Sequence, residues 1–141
     1  MPTEQSVNQE KPVVYIIHGD DQQAIASTLE DLTKKVGKPE LAALNVVRLD
    51  GRSVRREEFA NNIHLLPFSV GRRLVILTHA LAGINNQTEQ EQFLKLLDSV
   101  PPTTALALVI PDLQRIIKGT LDWAVLDQKN WLRKWMKAQG T

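Results

Sequence analysis

Apolar and β-branched residues run unbroken from Val13 to Ile17 and then meet His18-Gly19-Asp20-Asp21. A short run of this kind, stopped by a glycine, predicts a buried strand. Ile25, Leu29, Leu32 and Val36 follow at spacings of four, three and four, which marks one face of an amphipathic helix. Asp20 or Asp21 is suited to cap its start, and Gly37 with Pro39 to end it. The same alternation then repeats. Leu44 to Leu49 reads as a strand, Asp50-Gly51 as a turn, and Ser53 as the cap of a helix with Phe59, Ile63 and Leu66 on its apolar stripe, broken by Pro67. Arg72 to Leu77 reads as a third strand. A Gly/Asn-rich loop leads to a helix capped by Thr88, with Phe93, Leu96, Leu97 and Val100 inward, and Pro101-Pro102 stops it. Thr104 to Ile110 reads as a fourth strand, and a short fifth is expected near Trp123 to Leu126.

Strand alternating with helix predicts an α/β fold. The expected architecture is a parallel sheet of four to five strands with helices on both faces, joined by right-handed crossovers. The tail differs in character. Trp131 and Trp135 are four apart, as are Leu132 and Met136, with Arg133, Lys134 and Lys137 at other positions. That is an amphipathic helix with a large apolar face, which needs something to pack against. Three segments are therefore expected: a polar, disordered lead-in over residues 1–11, an α/β domain over 12–127, and over 128–141 the first helix of a following domain.

Composition changes this picture little. The 141 residues carry a formal net charge of +1 and 43% apolar residues, ordinary values for a globular chain. Cysteine is absent, so there is no disulfide framework and no thiolate metal site, which suits a cytoplasmic protein. No apolar run approaches the roughly 18 residues of a membrane span, and no membrane partner is expected. The arginines are more informative. Arg52, Arg55, Arg56, Arg72 and Arg73 are candidates for contact with a nucleic-acid backbone, although most such basic runs are solvated faces.

Candidate chemistry is sparse. The junction after the first strand is where many α/β proteins hold a nucleotide's phosphates, but a P-loop needs Gly-Lys-Ser/Thr a few residues on. The chain has Asp20-Asp21-Gln22-Gln23 there, and two carboxylates repel phosphate while suiting the helix dipole. A phosphorelay receiver would need an aspartate ending the third strand, which instead ends Leu77-Thr78-His79. His18, His64 and His79 show no metal-ligand spacing, and a zinc site shared by His18 and His79 would lack a third ligand. Neither a Gly-x-Ser-x-Gly elbow nor a Gly-x-Gly-x-x-Gly fingerprint occurs. The residues point to a binding module without catalytic residues, cofactor or metal. One segment invites a partner: at His64-Leu65-Leu66-Pro67-Phe68-Ser69-Val70 a helix meets a loop. Residue physics alone favours a buried corner with Phe68 in the core; the alternative is an exposed apolar wedge that docks into a partner's pocket.

Three motifs in order give the chain a resemblance. Val14-Tyr15-Ile16-Ile17-His18-Gly19-Asp20-Asp21, Leu66-Pro67-Phe68 with Arg72-Arg73-Leu74-Val75-Ile76, and Pro101-Pro102-Thr103-Thr104-Ala105-Leu106-Ala107-Leu108 together resemble the N-terminal domain of the delta subunit of bacterial DNA polymerase III. The similarity spans about Pro12 to Asp112, and Leu132 to Gly140 resembles the first helix of that family's second domain. The resemblance implies a P-loop NTPase/AAA+-like (Rossmann-like) topology lacking the nucleotide site, in a non-catalytic subunit of the clamp loader. It implies binding to the sliding clamp (beta) and opening of its ring, with the other loader subunits and DNA as partners of the assembled complex. The positions matching the clamp-binding corner are Phe68 and Ser69, with Leu66 upstream and Val70, Ile63 and His64 beside them. Ser69 departs from the family, which usually carries a second large apolar residue there. Burying such a residue stabilises by roughly 1.5–3 kcal/mol, so its absence lowers the expected affinity by about tenfold or more.

Overall fold

The computed structural model describes residues 14–68 and 72–139. The expected lead-in, residues 1–11, lies outside them. Four strands form one parallel sheet: β1 (Val14–Gly19), β2 (Val46–Asp50), β3 (Arg73–Thr78) and β4 (Thr104–Pro111), in the order β1-β4-β3-β2. In the centre Leu74 pairs with Ala105 and Leu77 with Leu108, while Val47 pairs with Val75 at the β2 side. The helices are α1 (Gln22–Lys34), α2 (Pro39–Asn45), α3 (Arg56–His64), α4 (Gln87–Asp98) and α5 (Trp131–Ala138).

The strand order explains why the sheet is covered on both sides. From β1 the chain crosses the whole sheet to β2, then steps back through β3 to β4. Crossovers of one hand that move in opposite directions put their helices on opposite faces. Accordingly Leu29, Leu32 and Val36, on and just after α1, pack with Leu74, Ile76, Ala105, Ala107 and Val109. On the other face Phe59 and Ile63 of α3 and Phe93 and Leu97 of α4 pack with Val75, Leu77, Leu106, Leu108 and Ile110. Each strand thus feeds alternate residues to two cores, as the period of two requires. Ala105 and Ala107, with Leu74 and Ile76, face the side covered by α1, and Leu77, Leu106 and Leu108 face the side beneath α3, α4 and α5.

Several local expectations give way. Pro39 does not simply end α1; it starts α2 from the first-turn position that proline tolerates. This shortens the second strand to Val46–Asp50. The α3 N-cap is Arg55, with no side-chain cap, while Ser53 lies 3.4 Å from the Asp50 carbonyl within the preceding turn. Asn86, not Thr88, caps α4 by accepting from Glu89 N–H at 2.9 Å. Asp21 does cap α1, through Ala24 N–H at 3.0 Å. Gly51 is required where it stands, because a Cβ there would run into the His79 carbonyl.

The expected fifth strand does not join the sheet. Residues after β4 instead fold as an antiparallel hairpin, β5 (Gln114–Ile117) with β6 (Thr120–Trp123). The reason lies in Asp112, a buried carboxylate that accepts from the N–H groups of Leu113 (2.9 Å), Val125 (2.7 Å) and Leu126 (3.0 Å). These amides find a side-chain acceptor and do not need a neighbouring strand.

The tail helix α5 lies against the same body. Asn130 caps it by accepting from Leu132 and Arg133 N–H. Leu132 is fully buried in the cluster beneath α3 and α4. The Trp131 ring meets Phe93 edge-on at 6.0 Å, and Trp135 Nε1–H donates to Asp98 at 2.9 Å. A large buried side chain costs about 2–5 kcal/mol to truncate. Leu132→Ala is therefore expected to lower the unfolding free energy by that amount in urea titrations. A loss under about 0.5 kcal/mol, the scale of a surface substitution, would show that α5 does not share the core in solution.

Candidate docking site

The two ends of the sheet are chemically different. At the carboxyl end of β1, where α/β folds hold phosphates, the chain fills the space with its own side chains. Trp123 lies over Gly19, its indole 3.9 Å from where a Cβ would be, an ordinary contact distance. The His18 ring meets Trp123 at 4.3 Å. His18 Nδ1 lies 3.1 Å from Asp112 Oδ2; a carboxylate only accepts, so that nitrogen carries the proton. An open cleft of about 230 Å³ remains, lined by His18, Asp20, Asp21 and Trp123, with no lysine or arginine among the described residues around it. Asp20 and Asp21 there disfavour a phosphate. His18 and His79 are not brought together either: His18 faces Asp112, His79 faces Asp50 at 3.8 Å, and no metal-holding cluster of His, Cys, Asp or Glu occurs among the described residues.

At the opposite end, just before β3, lies the corner singled out by its sequence. Phe68 is 60% exposed, Leu66 77% and Leu65 51%. The buried-corner expectation, with Phe68 in the core, is corrected. Pro67 and the end of α3 at His64 turn the chain outward before Leu66 can extend the helical stripe. Three large apolar side chains within four residues form a patch of the kind that marks an interface. Ile63, expected beside it on the helix surface, is corrected too: it is fully buried and supports the corner from beneath. Val70, like Ser69, lies outside the described residues.

The corner is held from four directions. Ile63 anchors the last turn of α3 in the core. His64 Nε2 lies 2.9 Å from Ser99 Oγ, whose own proton goes to the Leu96 carbonyl at 2.7 Å, so His64 donates and ties α3 to the end of α4. Arg73 donates through Nε to the Asn62 carbonyl at 2.9 Å and through Nη2 to Asn62 Oδ1 at 2.8 Å. Asn45, at the end of α2, is fully buried. Its Nδ2 donates to the Phe68 carbonyl at 2.9 Å and its Oδ1 accepts from Phe68 N–H at 2.6 Å. Leu65 and Asn45 are the residues that sequence reasoning missed. Leu65 sits inside the singled-out segment, but Asn45 is 23 residues away and carries no local signal.

The arginines do not gather. Arg73 is buried, and burial lowers its pKa from the ordinary value. Arg72 reaches the Pro102 and Thr104 carbonyls at 3.2 Å. Both donate to backbone carbonyls. Arg52 is paired at 2.8 Å with Asp50, whose carboxyl its hydrogen bonds pull down to about 2. Arg52, Arg55 and Arg56 border a cavity of about 300 Å³ at the carboxyl edge of the sheet, with Phe59, Phe93 and Leu96. The length of β3, about 17 Å for six residues, separates them from Arg72 and Arg73. The five do not form one phosphate-tracking face.

Burial alone would raise the Asp112 pKa, but hydrogen bonds from Leu126, Val125, His18 and Leu113 outweigh it and leave the pKa below its ordinary value. Its stabilisation is therefore complete above the unfolded carboxyl value near 3.8 and is lost as pH falls through the folded value. Asp112→Ala, which orphans buried donors, is expected to cost about 2–4 kcal/mol at neutral pH. The gap to wild type should shrink as pH drops below the unfolded value, read by urea unfolding across pH; a gap independent of pH would refute the charge-based account.

Comparison with known proteins agrees with this geometry. The family described as DNA polymerase III, delta subunit, matches residues 15–132. Among solved structures, the Bacillus subtilis DNA clamp loader delta protein (YqeN) aligns with a TM-score of 0.66 at 19% sequence identity. That alignment covers 89% of this chain and 35% of the B. subtilis chain, so the fold is shared and this chain spans about a third of that protein's length. No curated protein sequence matches the chain.

Proposed function

The chain belongs to the DNA polymerase III delta-subunit family, and from that premise we propose that it is the non-catalytic domain of a clamp loader that binds the sliding clamp and opens its ring. The observation that carries this reading is the corner at Leu65, Leu66 and Phe68, whose apolar side chains stand exposed on an anchored backbone. A loop that spends no ordering entropy on binding delivers more of its contact energy as affinity. Phe68 is the anchor, Leu65 and Leu66 flank it, and His64 borders it at the end of α3. Ile63 acts only as support.

Opening a ring requires the domain to hold one clamp subunit while something else bears on the seam. A hydrophobic plug in a pocket supplies that hold. ATP would act through other loader subunits, a reading supported by the cleft beside β1, which presents Asp20 and Asp21 and no lysine or arginine among the described residues. These subunits, and DNA through the assembled complex, are the remaining proposed partners, in the cytoplasm. No helix among the described residues is long and apolar enough to cross a membrane.

The nucleic-acid reading has less support, because two of its five arginines are committed to backbone carbonyls and a third to Asp50. Salt separates the two readings, since phosphate contacts release counterions and apolar contacts do not. Calorimetry of the chain with the sliding clamp of its own organism should show binding that changes little between low and physiological salt. Phe68→Ala should weaken it by roughly 10–100-fold, the equivalent of one buried aromatic anchor. Unchanged affinity in Phe68→Ala, with the fold intact by circular dichroism, would sink the corner as the clamp contact. Millimolar Mg·ATP should leave the melting temperature unchanged, because a bound ligand would raise it.

A further inference from the structure

We infer that Asn45 is a positioning residue for docking: its buried amide fixes Phe68 in a binding-ready orientation, so that affinity for the partner depends on a side chain that never touches it. The inference rests on the docking role of Phe68 proposed above, but its structural half stands on its own.

The geometry is that of a peptide group. Asn45 is fully buried, and its side chain meets both the N–H and the C=O of one residue, at 2.6 and 2.9 Å. That is the exchange an adjacent strand residue would make, supplied here by a side chain at the α2–β2 junction. Both polar ends of the amide and both polar groups of the Phe68 backbone are satisfied at once. The rest of Phe68 is left outside: its ring is on a residue 60% exposed, while its main chain is pinned. Nothing about stability requires a large ring at that place, because the ring contributes little burial to this chain. A buried bidentate grip on the backbone of an exposed aromatic makes sense when the ring's direction matters.

Other polar residues would not serve equally. Gln is one methylene longer and would push the corner away from the sheet. Asp accepts from Phe68 N–H but, ionised, faces the Phe68 carbonyl with a second acceptor. Because Asn45 directly precedes Val46, which pairs with Leu74 of β3, the grip also references the corner to the rigid centre of the sheet and not to a loop.

The test is a double-mutant cycle on the full chain, binding the sliding clamp of its own organism, with Phe68→Leu as the partner substitution because it leaves measurable affinity. Asn45→Ala alone is expected to weaken binding about tenfold. In the Phe68→Leu background the same change should cost far less, since there is no ring left to aim. Leu132→Ala, which destabilises the fold far from the corner, should leave affinity unchanged and so controls for stability. In the free protein, ¹³C relaxation of the Phe68 ring should show greater disorder once Asn45 is replaced. Should Asn45→Ala fail to fold, the near-isosteric Asn45→Asp carries the same cycle. Wild-type affinity in a folded Asn45 variant, or losses that simply multiply in the double mutant, would overturn the inference. If the wild-type chain does not bind the clamp at all, the docking reading fails instead, and ring relaxation alone decides whether Asn45 orders Phe68.

Discussion

The complete burial of the two central strands is the constraint on which the rest of this molecule depends. Every residue from Thr104 to Ile110 of β4 is buried, as is every residue from Arg73 to Leu77 of β3. Backbone polar groups in such a place have no access to water and must be paired along the sheet, so register is fixed. Both faces must also be roofed, and a parallel sheet is roofed by its own crossovers. One face is roofed by α1 and the other by α3, α4 and α5. Even Arg73 obeys this order: buried at the start of β3, it directs its charge to the end of α3 and thereby helps set where the corner begins.

Most of this framework was legible in the sequence, because its signals are local. The apolar runs of β1, β3 and β4 and the four-three-four stripe of α1 each depend on neighbours within a few residues. What was not legible depended on distance or on competition. The helix α2 was hidden because Pro39 reads equally as an end and a beginning. The fifth strand was misjudged because Asp112 takes the amides of Val125 and Leu126 from 13 and 14 residues away. Phe68 looked like core by its type, but the end of α3, Pro67 and the grip of Asn45 on its backbone leave it outside. The five arginines looked like a set by their spacing, yet β3 carries two of them to the other end of the sheet.

The two ends of the sheet show how one architecture supports opposite uses. At the carboxyl end Trp123, His18 and Asp112 close the fold on itself, and the small open cleft that remains is acidic. At the amino end the fold does the reverse and holds apolar surface out. Both effects come from the same device, a buried polar side chain that captures backbone groups: Asp112 draws the hairpin in, and Asn45 keeps Phe68 turned out.

All three tryptophans fall between residues 123 and 135. Trp123 sits over the end of β1, Trp131 against Phe93, and Trp135 on Asp98. None lies within the four-stranded sheet itself. Intrinsic fluorescence of this protein therefore reports on how the C-terminal segment is seated, while the amide absorption of the far ultraviolet reports on the sheet and helices. Denaturation curves from the two probes coincide only if the segment and the body come apart as one cooperative unit. A fluorescence transition that precedes the circular dichroism transition is the signature of a tail that lifts away from an otherwise intact domain.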